Sequence, residues 1–310
     1  MKVSILVHNL NRAGDLRRCL ASVVSQEYRP IEVVLLDAGS TDGSLDVIAE
    51  YIDKARSDRI EFNTISCHLS GVAASRNLAA RHATGDLLVF LDNDACFASG
   101  NAIDEVVRCF LQESDLALIA FQIRLRDTLD LDPGAWVFRR SLKKWASTPF
   151  QTFTFAGGGC CIRADVFFRL QGFWTPLIYS REEEELALGI IHEGLKILYA
   201  PKIAICHFPN PKGRSSIAER RQTELRNGIL VFWRRFPRLI ALAAIGARIA
   251  KMCTRAIVAR EGNPFRLLLA VANAISDWRN LELAPNRISY RTLLRYTSLH
   301  FTPAANERTT

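Results

Sequence analysis

Asp92, Asn93 and Asp94 end an apolar run at residues 87–91 and put two carboxylates two positions apart. In extended backbone, side chains at i and i+2 point the same way, so the pair would converge just past a strand end. Paired oxygen ligands suit a hard cation such as Mg2+ or Mn2+. A cation held by few protein groups completes its shell with substrate phosphates. Asp37 closes a second apolar run and opens the turn Ala38-Gly39-Ser40-Thr41-Asp42-Gly43-Ser44. Ser, Thr, Asp and Gly of this kind cap a helix, while an acid at a parallel strand end is also placed to hydrogen-bond a nucleotide. Four consecutive acids, Glu182, Glu183, Glu184 and Glu185, follow Arg181. Near a helix N-terminus acids are favoured by the macrodipole, which accounts for Glu184 and Glu185. The glycine-rich stretch 155–161 would allow close backbone approach to a ligand, or simply make a tight loop.

These residues need elements to hold them. Residues 3–7, 31–36 and 87–91 are short, near-continuous apolar runs, interrupted only by Ser4 and Glu32, as buried parallel strands are. Between them, Leu16, Leu20, Val23 and Val24, then Leu45, Ile48 and Ile52, recur at helical spacing. A further strand is expected near 59–66, and a helix over 73–83 stopped by Gly85. This βαβαβαβ rhythm implies a mostly parallel sheet flanked by helices, with ligands beyond the carboxyl ends of the strands, where Asp37 and Asp92 fall. Farther on, strands are expected at 116–125, 196–200 and 203–207. A short helix follows Ala164, another spans 182–194, and the chain is helical from about 215. The expected organisation is a body at 1–210, divided into halves at 1–112 and 113–210, and a basic helical region at 211–310.

The 310 residues are 49% hydrophobic and 23% charged, which is globular composition and excludes disordered and fibrous classes. The net charge of +8 is uneven. Residues 211–310 hold 18 Lys+Arg against 6 Asp+Glu, and residues 1–210 hold 22 against 26. Arg248, Lys251 and Arg255 fall on one helical face, which would suit an anionic membrane surface. No nucleic-acid-binding motif accompanies the charge. The apolar run 239–247 is far shorter than the roughly 20 residues of a spanning helix, and the apolar stretch before His8 is expected to be too short for a signal peptide. Eight cysteines without CxxC spacing fit a reduced cytoplasmic protein, with Cys160 and Cys161 as packing residues. The expected location is cytoplasmic, peripheral on the inner face of the cell membrane.

Four segments then occur in order. They are residues 3–12 (VSILVHNLNR), 35–44 (LLDAGSTDGS), 71–77 and 85–94 (ending FLDND). This pattern resembles the family 2 glycosyltransferases with the GT-A fold, over residues 2–235. The resemblance implies a sugar transferred from a nucleotide-diphosphate sugar to a hydroxyl of a glycan, lipid-linked or small-molecule acceptor, with inversion. It places His8, Asn9, Asp37, Arg76, Asp92 and Asn93 at the nucleotide sugar, and Asp94, Asp92 and His207 at a divalent metal, Mn2+ or Mg2+. Glu183 falls at the position of the general base, with Glu182 the alternative register. Gly158, Gly159 and Trp174 fall on the acceptor side, where Trp174 could stack on a sugar ring or pack. The chain has His8-Asn9-Leu10-Asn11 where the family often has Pro-Thr/Ser-Tyr-Asn, and only Asp37 where a pair of acids is usual.

Two other classes fit less well. A sugar nucleotidyltransferase would carry a glycine-rich phosphate loop after the first strand, and residues 8–13 contain no glycine. A NAD-dependent dehydrogenase would carry GxGxxG there. A non-catalytic nucleotide-sugar-binding protein is separated from an enzyme by turnover.

Overall fold

The computed structural model describes residues 1–67, 71–208, 216–258, 264–280 and 286–301. Strand β1 (Val3–Asn9) leads through α1 (Ala13–Val24) to β2 (Ile31–Asp37), α2 (Ser44–Ser57) and β3 (Glu61–Ser66). Next come α3 (Val72–Arg81), β4 (Leu87–Asp92), β5 (Ala95–Phe97), α4 (Ala102–Gln112) and β6 (Leu116–Leu125). Then follow α5 (Leu142–Trp145), β7 (Phe150–Thr152), β8 (Gly159–Arg163), α6 (Ala164–Arg169), α7 (Glu182–His192) and β9 (Lys196–His207). The chain continues through α8 (Ile217–Arg235), α9 (Arg238–Val258), α10 (Pro264–Asn280) and α11 (Tyr290–Phe301).

The nine strands form one sheet in the order β3-β2-β1-β4-β8-β6-β9-β5, with β7 paired to β9. From β3 to β4 every pairing is parallel, whereas β8 runs antiparallel to both β4 and β6. Alternation along each strand feeds two cores. Ile5 and Val7 join the helices α1, α2 and α4 on one face, while Leu6 and Phe90 join α3, α6 and α7 on the other. Cys160 and Cys161 divide in the same way, fully buried, and all eight cysteines are free thiols.

Several local expectations change. Helix α3 ends at Arg81, before Gly85. A Cβ at Gly85 would lie 2.8 Å from the Ser4 amide nitrogen, so this glycine permits close approach to β1 and is not a helix cap. Gly194 does stop α7: it has φ +81° and donates to Ile191 O at 3.0 Å. The two strands expected at 196–207 are one strand with an irregularity opposite Phe121 and Gln122. The glycine-rich stretch becomes the lead into β8, and 3-residue strands form at β5 and β7.

Helices α8 to α11 build a third core with α7, in which Leu188 and Ile191 meet Leu225, Ile229 and Leu230. Glu185, 1% exposed, lies 2.9 Å from Arg234 Nε and 2.7 Å from Arg235 Nε. Besides its place in the first turn of α7, it is therefore a buried ionic link between α7 and α8. Removing one member of such a group costs about 3–5 kcal/mol. Arg226 pairs with Asp277 at 2.7 Å, and Arg248 with Glu224 at 2.9 Å. Arg248 is thus turned inward over Gly228, and only Lys251 and Arg255 of the expected basic face are exposed. No described helix is long and apolar enough to cross a membrane.

Candidate active site

The carboxyl ends of β1, β2 and β4 lie side by side, with Asn9 opposite Asp37 and His8 opposite Asp92. They border a cleft of about 1020 Å³. Its walls include His8, Arg76, Asp92, Asn93, Asp94 and His207, and Gly158, Glu182 and Glu183 lie across from them. The structure therefore brings together residues from both halves of the body.

Arg76, on α3, is the centre of the charge arrangement. Its side chain is 10% exposed, and Nη2 donates to Asp92 Oδ1 at 3.2 Å. Nη1 lies 3.8 Å from Glu182 Oε1 and 3.7 Å from Glu183 Oε1. The guanidinium also sits 5.6 Å from the centre of the Phe173 ring. The loop before β8 fits against this group only without side chains. A Cβ at Gly157 would strike Arg76 and Glu183, and a Cβ at Gly158 would strike the Asp92 carboxylate.

Glu182 and Glu183 open α7, after Arg181 in a left-handed conformation at φ 73°. Glu182 is 3% exposed. Burial and its acidic neighbour Glu183 push its carboxyl up to about 8, so it is protonated at neutral pH. Glu183 opens onto the cleft, with 23% of its side chain exposed. Burial raises it too, while the Arg76 guanidinium and the Gly157 amide pull it back. Burial lowers His8, which is neutral at pH 7.

Asp92 and Asp94 are not joined by extended backbone and take different partners, although both line the cleft and burial and the Asp92 charge together raise the Asp94 carboxyl. Strand β4 ends at Asp92, and Asn93 and Asp94 turn toward β5. Asp92 consequently faces Arg76, while Asp94 lies 3.4 Å from Arg12 Nη1 and 3.8 Å from His207 Nε2. The other ring nitrogen of His207 is 3.0 Å from Asp132 Oδ2. A carboxylate on the far nitrogen fixes an imidazole's orientation and raises its basicity as a ligand. The Asp94 and His207 donors suit a Mn2+ or Mg2+ ion that takes its remaining ligands from a diphosphate. Among the described residues no group of three His, Cys, Asp or Glu converges on one point.

Four expected residues do not line this cleft. Asp37 is 4% exposed, and both its oxygens are engaged. Oδ1 accepts from Asn9 Nδ2 at 3.0 Å and Ser40 Oγ at 2.6 Å, and Oδ2 accepts from the Ser40 amide at 2.8 Å. Asn9 is buried in the same network and accepts from Asn93 Nδ2 at 2.8 Å. Gly159 lies within β8 against Ile205. Trp174 packs with the C-terminal helices, with the Arg234 guanidinium 4.7 Å from its ring centre, and is not beside the other site residues. Conversely, Arg12 and Asp132 join the site although spacing alone gives them no role there. Arg12 lies in the first of the four ordered segments, but Asp132, although two residues after Asp130, sits in a loop outside all four.

The model of glycosyl transferase family 2 matches residues 4–170, more than half of the chain. The chain belongs to that family. An uncharacterized glycosyltransferase of Haemophilus influenzae is 33% identical over 110 residues, covering 36% of this family 2 chain and 42% of that protein. The O-antigen chain rhamnosyltransferase RfbN of Salmonella typhimurium is 24% identical over 220 residues, 68% of this chain and 67% of that one. For the first three curated relatives, the match spans only 42%, 39% and 38% of their lengths. Among solved structures, the mannosyltransferase PcManGT of Pyrobaculum calidifontis, in complex with GDP-Man and Mn2+, superposes with a TM-score of 0.58 at 19% identity. That comparison covers 96% of this chain and 83% of the other. GalNAc-T7 with UDP, GalNAc and Mn2+ gives 0.60 at 19% identity, covering 91% and 57%. At such identities the likeness establishes the fold, which is the expected GT-A architecture with a helical C-terminal part.

The protonated state of Glu182 has a consequence for stability. The unfolded chain releases this proton near 4.5, whereas the folded chain holds it to about 8. Between those values folding takes up a proton, so Glu182 makes stability fall as pH rises. The urea midpoint of the wild type should therefore drop more steeply from pH 5 to 8 than that of Glu182→Gln. Parallel profiles would show that Glu182 is ionised in the fold.

Proposed function

We propose that the cleft transfers a sugar from a nucleotide-diphosphate sugar to a hydroxyl of a glycan-type acceptor by direct displacement, with Glu183 as the general base. The observation that carries this reading is Glu183 itself. It opens onto the cleft with 23% of its side chain exposed, beside the Arg76 guanidinium that also holds Asp92, and burial raises its affinity for a proton. A raised proton affinity makes a carboxylate a better general base.

The acceptor oxygen gives its proton to a Glu183 oxygen and attacks the anomeric carbon. The bond from that carbon to the diphosphate oxygen breaks, and its electron pair leaves with the nucleotide diphosphate. Arg76 holds Glu183 and Asp92 in place and offsets their charge. Asp94 and His207, with Asp92, would hold the divalent ion, which when bound acts as a Lewis acid toward the departing diphosphate. Arg12 adds a positive charge at the same end of the cleft. Asp37 keeps Asn9 and the β2–α2 turn in shape, so its contribution to nucleotide binding passes through that turn. The relatives support the general reading, since one is an O-antigen chain rhamnosyltransferase and structural neighbours hold GDP-Man or UDP with Mn2+.

A panel of nucleotide sugars with Mn2+ tests the proposal by hydrolysis and by transfer. Wild-type kcat/KM should rise with pH as Glu183 ionises. Glu183→Gln should lose about 10²–10⁴-fold in rate while still binding the nucleotide diphosphate with Mn2+. Nucleotide binding without turnover in the wild type would make the protein a binder, and an active Glu183→Gln would remove Glu183 as the base.

Asp132 gives a separate test of the ion site. Mn2+ affinity, read by electron paramagnetic resonance with UDP or GDP present, should fall about 10–100-fold in Asp132→Ala if the carboxylate positions His207. Unchanged affinity would leave Asp132 with only a loop role.

A further inference from the structure

The cleft is larger than the catalytic residues need, at the upper end of the roughly 300–1,000 Å³ usual for small-molecule sites. Its far side is of a different character. Tyr296 donates to Glu184 Oε1 at 3.2 Å, one residue from the proposed base. From Tyr296 an aromatic chain extends away from the carboxylates. The Phe153 ring lies 5.2 Å from it, the Phe236 ring 6.1 Å, and Phe232 is 5.0 Å beyond Phe236. Ile240 and Leu293 complete that wall.

Three features make this an apolar subsite and not merely a packed core. Phe232, Ile240 and Leu293 are only half-buried, whereas Leu230, Val231 and Ala241 beside them are fully enclosed. The charged groups at its border are already matched to one another: Glu224 pairs with Arg248 at 2.9 Å and with Arg181 at 3.3 Å, and Glu184 pairs with Arg181. The subsite therefore offers surface area more than polar recognition. Finally, every wall residue except Phe153 lies C-terminal to α7, most of them on α8, α9 or α11, beyond the 4–170 segment shared with the family. These helices therefore bring a wall from outside the family-matched segment next to the shared chemistry.

We propose that this wall binds an apolar aglycone, so that the acceptor is an amphiphile whose hydroxyl-bearing part reaches Glu183 while its hydrocarbon part lies against Phe232, Phe236, Ile240 and Leu293. The inference rests on the transferase reading of the cleft. Burying hydrocarbon here removes apolar surface from water and supplies binding energy remote from the reacting atoms. It also displaces water from the mouth of the site, where an activated donor would otherwise be hydrolysed. A free, wholly polar oligosaccharide would leave the wall wet.

The test compares methyl, phenyl and n-octyl glycosides of one sugar, used below micellar concentration with the full chain. Binding is read by titration calorimetry without donor, and transfer is read with whichever nucleotide sugar is turned over. The octyl or phenyl glycoside should bind at least about tenfold more tightly than the methyl glycoside, since each buried methylene contributes about 0.8 kcal/mol. An octyl preference identifies an alkyl chain, and a phenyl preference an aromatic group. In Ile240→Asn and Phe232→Ala the ratio of apolar to methyl glycoside should fall toward one, through KM and not kcat, with melting curves confirming that both variants fold. Equal binding of all three glycosides by the wild type, or a ratio that both folded variants preserve, would overturn the proposal. Tight octyl binding with no turnover of any donor would uphold the subsite and reject the transferase reading.

Discussion

One buried guanidinium organises the site. Arg76 brings a positive charge to a place where β4 ends, α7 begins and the glycine loop before β8 closes over both. Without it, Asp92, Glu182 and Glu183 would face one another in a poorly solvated space. Without them, a cation would be buried alone, a change that costs about 3–5 kcal/mol in comparable cases. The arrangement also divides the labour of two adjacent acids. Glu182, nearly sealed from water, takes a proton, and Glu183, on the open side, is left to act on a ligand. Gly157 and Gly158 are required by the same geometry, because any side chain there would displace the charged groups.

The C-terminal helices depend on ionic links of the same kind. Glu185 joins α7 to Arg234 and Arg235 of α8, and Glu224 ties α8 to Arg248 of α9. Arg226, Arg234, Arg235 and Arg248, four of the 18 Lys and Arg of the last hundred residues, are thus engaged inside the protein, holding these helices together and against the body. That attachment places Phe232, Ile240 and Leu293 at the cleft and joins the shared catalytic half to a wall of different composition.

The first half of the fold was legible because its physics is local. Buried parallel strands are short apolar runs, and β1, β2 and β4 end within two residues of where those runs stop. The later part was harder to read. Strands β5 and β7 have 3 residues each and no period to detect, and β8 begins with a glycine that reads as a loop. Among the expected site residues, Asp92 and Asp94 were legible from their spacing at a strand end and Glu182 and Glu183 from a run of acids. The places of Arg76 and His207 came from the resemblance; all six line one cleft. The different partners of Asp92 and Asp94 were hidden, because a turn at Asn93 replaces the extended backbone that spacing alone suggests. Asp132 was missed because it meets His207 only through the fold, across 75 residues. Trp174 carried the right residue type for a sugar platform, but Arg234 and the third core claim its ring.

The most direct test of a single displacement driven by Glu183 is the anomeric configuration of the first transfer product. Proton NMR during the initial turnovers reads it from the coupling constant of the anomeric hydrogen, before any mutarotation. One carboxylate base and direct attack by the acceptor predict an anomer inverted relative to the donor. A retained anomer would require a second displacement and would contradict Glu183 as the base of a direct attack.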